Sequence, residues 1–184
     1  PKDLKEASEI RFYRTDALLS AGRSGEAIAA LEKVLKEESD KTKRRESGAT
    51  LLRLLSEKKN AESNQKFLEV SSEFLGQFPN DKLAPELEYS RIRIQNDKNA
   101  LEEYITKYPA RRESLEAAQD LLAEAVRNKD NARSITLADR FLKNRALLAE
   151  DKKGNFRKYL NSILARNVFA QTQEIESRGD FAGA

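Results

Sequence analysis

Residues 74–85 read FLGQFPNDKLAP, and thirty positions after Phe74 residues 104–109 read YITKYP. Each stretch places an aromatic, three residues, a second aromatic and a proline: Phe74, Phe78 and Pro79, then Tyr104, Tyr108 and Pro109. Aromatics four apart share one helix face. A proline just past the second ring lacks the N–H that would carry the hydrogen-bond ladder onward. Both stretches therefore predict the last turn of a helix, packed by rings and stopped by the proline. Two helices ended in the same way at a fixed interval indicate a repeated unit.

Residues 24–38 read SGEAIAALEKVLKEE, with Ala27, Ile28, Leu31, Val34 and Leu35 on one apolar helix stripe and Ser24 as the expected N-cap. Leu4, Ala7, Ile10, Ala17, Leu18 and Ala21 predict a helix before it that stops at Gly22. Further stripes run through Leu51, Leu52 and Leu55, through Phe67, Ser71 and Phe74, and through Leu101, Tyr104 and Ile105. A helix from about Asp81 to Gln95 carries Leu83, Leu87 and Ile94 on one side and Tyr89 with Ile92 on another, so it needs two neighbours. None of these helices is long enough to be stable alone, and each must be covered by the next.

Turns are predicted near Gly22, Asn60, Asn96, Lys129 and Gly179, spaced by 38, 36, 33 and 50 residues. The long last interval calls for extra material, an irregular piece around Glu150 to Gly154 before a helix through Phe156, Leu160, Ile163, Leu164, Val168 and Ile175. The run RRES occurs at Arg44–Ser47 and again at Arg111–Ser114, each followed seven residues after the serine by a leucine pair. The expected architecture is all-α: a right-handed superhelical stack of antiparallel helix pairs, about nine helices in one segment spanning 1–184. The expected pairs are 4–38, 42–79, 81–109 and 111–144, followed by a long helix at 154–178 and a further one starting at 181. Pro1 in place of Met and the few residues after Asp180 read as a fragment of a longer chain, whose final long helix would lack its mate and expose apolar surface on its stripe from Phe156 to Ile175.

Composition narrows the chemistry. Hydrophobic residues at 39% and charged residues at 35%, with few Gly and Pro, suit long helices with solvated faces. The net charge is only +3, so bulk charge gives no argument for nucleic acid. With no His and no Cys, imidazole-based triads, His-ligated zinc, thiolate sites and disulfides are excluded. Glu102 and Glu103 are adjacent and diverge on a helix, which makes a poor carboxylate pair, and no Gly-rich phosphate loop is present. The expectation is a protein that is not an enzyme, with no catalytic residue, no metal and no cofactor. The basic run Lys41, Lys43, Arg44 and Arg45 reads as a solvated helix face before it reads as a nucleic-acid contact. The RRES serines read as helix openers before phosphorylation sites, and the RGD at 178–180 reads as a turn.

On AGRSGEAIAALEKVL at 21–35 and ESRGDFAGA at 176–184, the chain resembles the tetratricopeptide repeat, with Gly22 and Gly179 on the family's turn glycine and Ala27 and Ala184 on its second-helix alanine. Arg14 and Gln171 depart from the family's apolar positions. FLGQFPNDKLAPELEY at 74–89 is similar to a pattern of bacterial envelope repeat proteins, including outer-membrane assembly lipoproteins of the BamD type. The resemblance implies a fold that binds other proteins in a groove lined by the first helices of successive pairs. It implies Glu9, Phe12, Asp16, Ser20, Tyr89, Arg93, Phe169, Gln173 and Ser177 as groove residues, with packing between repeats as the alternative for Phe12 and Phe169. The implied partner is another protein or a peptide, and membrane association would come only through a missing anchor or a partner. The implied compartment is the periplasm or the outer membrane, with the cytoplasm as the alternative. Two rivals stand beside this reading: a helical non-catalytic arm of a larger envelope enzyme, and a nucleic-acid-binding helical repeat.

Overall fold

The two proline-ended stretches close helices in matching ways. The computed structural model describes residues 2–177, with the side chains of 10, 12–167 and 169. Among the described residues there are ten α-helices and no strand, so the chain is all-α. They are α1 Lys2–Ser20, α2 Ser24–Glu37, α3 Lys41–Lys58, α4 Ala61–Gln77, α5 Ala84–Gln95, α6 Lys98–Lys107, α7 Arg112–Arg127, α8 Asn131–Lys143, α9 Arg145–Ala149 and α10 Asn155–Ser177. At the end of α4 the Phe74 and Phe78 rings lie 5.0 Å apart, and at the end of α6 so do Tyr104 and Tyr108. The second ring of each pair is the C-cap, at φ −133° and ψ 60° for Phe78 and φ −128° and ψ 52° for Tyr108. Pro79 and Pro109 follow. The chain then turns through the same succession of bonds, Asp81 N to Phe78 O and Ala84 N to Asp81 O in one, Arg111 N to Tyr108 O and Ser114 N to Arg111 O in the other.

The other class of turn is equally regular. Gly22, Lys59, Asn96 and Lys129 all take positive φ, between 47° and 70°. From 22 to 59 and from 59 to 96 is 37 residues each, and from 96 to 129 is 33. At Gly22 and Lys129 the left-handed residue lets its own N–H and the next one return to the last helical carbonyls: Gly22 to Leu19 with Arg23 to Leu18, and Lys129 to Val126 with Asp130 to Ala125. Directly after three of these residues stands a capping side chain: Asn60 accepts from Ser63 N, Asp97 from Asn99 and Ala100 N, and Asp130 from Arg133 N. Each such cap contributes on the order of 1 kcal/mol.

The chain divides into two compact units, Pro1–Ile94 and Gln95–Ala184. In the N-terminal unit α1 packs on α2, α2 on α3 and α3 on α4. Its core joins Leu31, Leu35, Leu51, Leu55, Phe67 and Phe74. The closest approach is at Gly48 of α3, where a Cβ would stand 2.8 Å from Phe74 Cδ2 and 3.3 Å from Leu35 Cδ1. A glycine inside a helix costs about 1 kcal/mol relative to alanine, and here it admits a fully buried ring worth roughly 1.5 to 3 kcal/mol. In the C-terminal unit α6 packs on α7, α7 on α8 and α8 on α10, with α9 tucked against α7 and α8. The Phe141 and Phe156 rings meet 6.1 Å apart between α8 and α10.

Several expectations are corrected. Ser24 is the first helical residue of α2, and Arg23 holds the N-cap position without a side-chain cap bond, its guanidinium instead gripping Glu26. The helix expected from Asp81 begins at Ala84, because residues 81–83 are held in the turn by the Asp81 carboxylate. Among the described side chains of α1, Thr15 and Leu18 are buried while Ile10 and Ala17 are exposed, so over these positions the face that packs on α2 only partly follows the expected stripe. Arg44–Ser47 lies a turn further into α3 than Arg111–Ser114 does in α7, yet both serines are buried in the packed face, which removes the phosphorylation reading. The short α9 departs from the expected pattern; Asn144 caps it by accepting from Leu147 N, and Leu147 and Leu148 are buried. The RGD run and the helix expected from 181 lie outside the described residues.

Phe74→Ala should lower unfolding free energy by about 3 to 5 kcal/mol, and Gly48→Ala by about 1 to 3 kcal/mol through overpacking. Gly48→Ala should cost much less in a Phe74→Leu background, as read by a denaturant double-mutant cycle. Independent, additive effects would contradict the contact.

Candidate functional site

Helix α3 works on two faces. Leu51, Leu54 and Leu55 enter the core, while the adjacent Ala49 and Thr50, then Arg53 and Ser56 at successive turns, look onto a groove whose opposite wall is Leu83, Glu86, Leu87 and Ser90. The groove has a volume of about 340 Å³. Its floor is apolar: Leu52 of α3, Phe67 of α4 and Leu87 of α5 are all buried. It exists because α5 lacks the extensive backbone packing that joins α1 through α4 and reaches the core through Leu87, with Leu83 and Ile94 partly buried against it. On the lip Arg53 pairs with Glu57 one turn on, at 2.7 Å, with both side chains more than half exposed. Such a pair contributes only about 0.2 to 1 kcal/mol.

The turn before α5 is fastened by the basic run. Arg45 holds Asp81 through two hydrogen bonds of 2.7 and 3.1 Å. Arg44 donates Nε to the Glu38 carbonyl at 2.9 Å and Nη1 to Gln77 Oε1 at 3.4 Å, and Lys41 Nζ stands 5.8 Å from the Phe78 ring centre. Lys41, Arg44 and Arg45 of this run thus have defined intramolecular roles. The Arg45 hydrogen bonds hold the Asp81 carboxyl below the usual carboxylate range, helped by the Leu83 N–H, and Asp81 in turn raises Arg45. Glu102 plays a comparable part in the C-terminal unit, accepting from Arg133 at 3.1 Å and Arg140 at 2.7 Å across α6 and α8.

The residues named from sequence fall as follows. Phe12, Asp16 and Ser20 lie in one row on α1, Phe12 half-buried and the other two exposed; the Glu9 side chain lies outside those described. Tyr89 and Arg93 share a face of α5, with the guanidinium 6.0 Å from the ring centre. That face is about 100° round the helix from Ser90, so the pair flanks the α3–α5 groove without lining it. Phe169 is 63% exposed on α10; the side chains of Gln173 and Ser177 lie outside those described. Thr50, Arg53, Glu86 and Ser90 were not singled out from sequence, although the spacing of Ala49, Arg53 and Ser56 on the polar side of α3 carries the signal. In the C-terminal unit a smaller groove of about 200 Å³ lies beside Ile135, Tyr159, Ile163 and Arg166. On α10 Phe156 and Leu160 are buried, while Tyr159 is exposed and Ile163 and Leu164 are partly so, and therefore only part of the predicted apolar stripe is uncovered.

Among the described residues no cluster of acidic groups is placed to hold a metal ion, and no helix is long and apolar enough to cross a membrane. Compared with known protein families, curated proteins and solved structures, the chain matches none.

The Asp81 carboxyl has a lower pKa folded than unfolded, so its stabilisation is full above the ordinary carboxylate range and is lost as pH falls through the lowered folded value. Asp81→Asn should cost about 1 to 3 kcal/mol at neutral pH, and the gap to the natural protein should narrow below about pH 4. Urea titrations across that range test this; a gap independent of pH would assign the loss to something other than the ion pair.

Proposed function

We propose that this chain is a non-catalytic protein-interaction scaffold, a right-handed superhelical stack of pairs at about 4–38, 42–79, 81–109 and 111–144. It holds a peptide or a partner helix by side-chain contact alone. The observation that carries this reading is the α3–α5 groove, an open slot with a buried apolar floor and polar lips. Concave, mostly apolar sites with a few convergent polar groups are where proteins take ligands. Its two walls are the first helices of consecutive pairs, the side that the tetratricopeptide resemblance assigns to ligands. The regular left-handed turns at Gly22, Lys59, Asn96 and Lys129 support a repeat. Thr50, Arg53, Glu86 and Ser90 form the contact set, with Tyr89 and Arg93 as flanking contacts. The similarity at 74–89 supports a periplasmic or outer-membrane setting. The nucleic-acid alternative loses its main support, because Lys41, Arg44 and Arg45 serve the turns between helices.

The test is a photo-crosslinking amino acid placed at Arg53 or Ser90 of the full-length protein in its native host, with Thr106 on α6 as control. Discrete protein adducts at Arg53 and Ser90, absent at Thr106, are expected. Adducts to nucleic acid, or none at either groove position, would contradict the reading.

A further inference from the structure

We infer that the occupant of the α3–α5 groove is an amphipathic helix that presents two leucine-sized side chains one turn apart and a lysine or arginine just beyond them; this rests on the groove being the binding site proposed above. The walls of the groove are helices, whose backbone groups are satisfied within each helix away from their ends. They offer no edge for an extended strand to pair with. A ligand must gain its affinity through side chains, and a helix presents these with its own backbone already satisfied. The volume sets the number of anchors. A cavity of about 150 Å³ lined by leucine-type residues accepts one benzene ring, and the groove offers about 340 Å³ over Leu52, Phe67 and Leu87, room for two such groups. Two apolar side chains at i and i+4 lie one above the other on a helix face, as a slot between two helices requires.

Charge selects the third feature. Arg53 is already engaged by Glu57 at 2.7 Å. Glu86, on the opposite lip, makes no hydrogen bond or ion pair among the described residues. The lip is therefore net acidic, and an incoming cation meets a carboxylate that none of the described residues neutralises. Thr50 and Ser90 add hydroxyls on the two walls.

The probe is a helical peptide of about 14 residues with leucines at i and i+4 and a lysine at i+7, titrated into the isotope-labelled full chain and followed by amide chemical shifts. Shifts should concentrate at Thr50, Arg53, Leu87 and Ser90. Glu86→Lys should weaken binding about tenfold, and a probe with glutamate in place of its lysine should recover that loss on Glu86→Lys. Unchanged circular dichroism of Glu86→Lys confirms that the variant is folded. Shifts centred elsewhere, or a charge exchange without effect, overturn the inferred occupant. If Ser90 still crosslinks a native protein in that case, the scaffold reading stands and only the occupant is wrong.

Discussion

The ring of Phe74 lies against the bare backbone of Gly48, and the N-terminal unit is arranged around that contact. A side chain at residue 48 would stand within 3 Å of the ring, so the distance between α3 and α4 is set by the absence of one methyl group. Leu35 of α2 reaches the same point, and three helices thus converge on one glycine. Phe74 also packs its ring, tilted, against Phe78, whose carbonyl accepts the Asp81 N–H that starts the next turn. The contact therefore fixes two helices and also where the chain leaves them.

From that turn the groove follows. Arg45 grips Asp81, Asp81 caps Leu83, and the backbone released at Ala84 becomes α5. Because α5 is anchored at its start and through Leu87, without long backbone packing, a slot remains between it and α3. Three of the basic residues that looked like a solvated patch in the sequence are the fasteners of this arrangement.

Much of this was legible in the sequence because turns are punctuated by residue chemistry. Proline after an aromatic pair, glycine at Gly22, and Asn or Asp beside Lys59, Asn96 and Lys129 all act locally, so the helix ends could be read from them. The packed face of α1 could not, since Ile10 is as apolar as Leu18 and only the position of α2 decides which is covered. The groove was missed for a related reason. Thr50, Arg53, Glu86 and Ser90 are ordinary surface residues until α3 and α5 stand opposite each other, and that juxtaposition depends on long-range contacts such as Arg45 with Asp81. The row of Phe12, Asp16 and Ser20 was expected at the groove through a family resemblance, whereas the α3–α5 slot is lined by other residues.

Helices α3 and α4 should form a rigid core around Gly48 and Phe74, with α5 a more loosely held wall of the groove. Native-state hydrogen exchange tests it most directly, because it measures the opening free energy of each helix separately. Amides of Leu51, Leu52 and Phe74 should exchange only with unfolding of the whole N-terminal unit, and those of Glu88, Tyr89 and Ser90 in α5 through an opening of markedly lower free energy. Protection in α5 equal to that in α3 would contradict it.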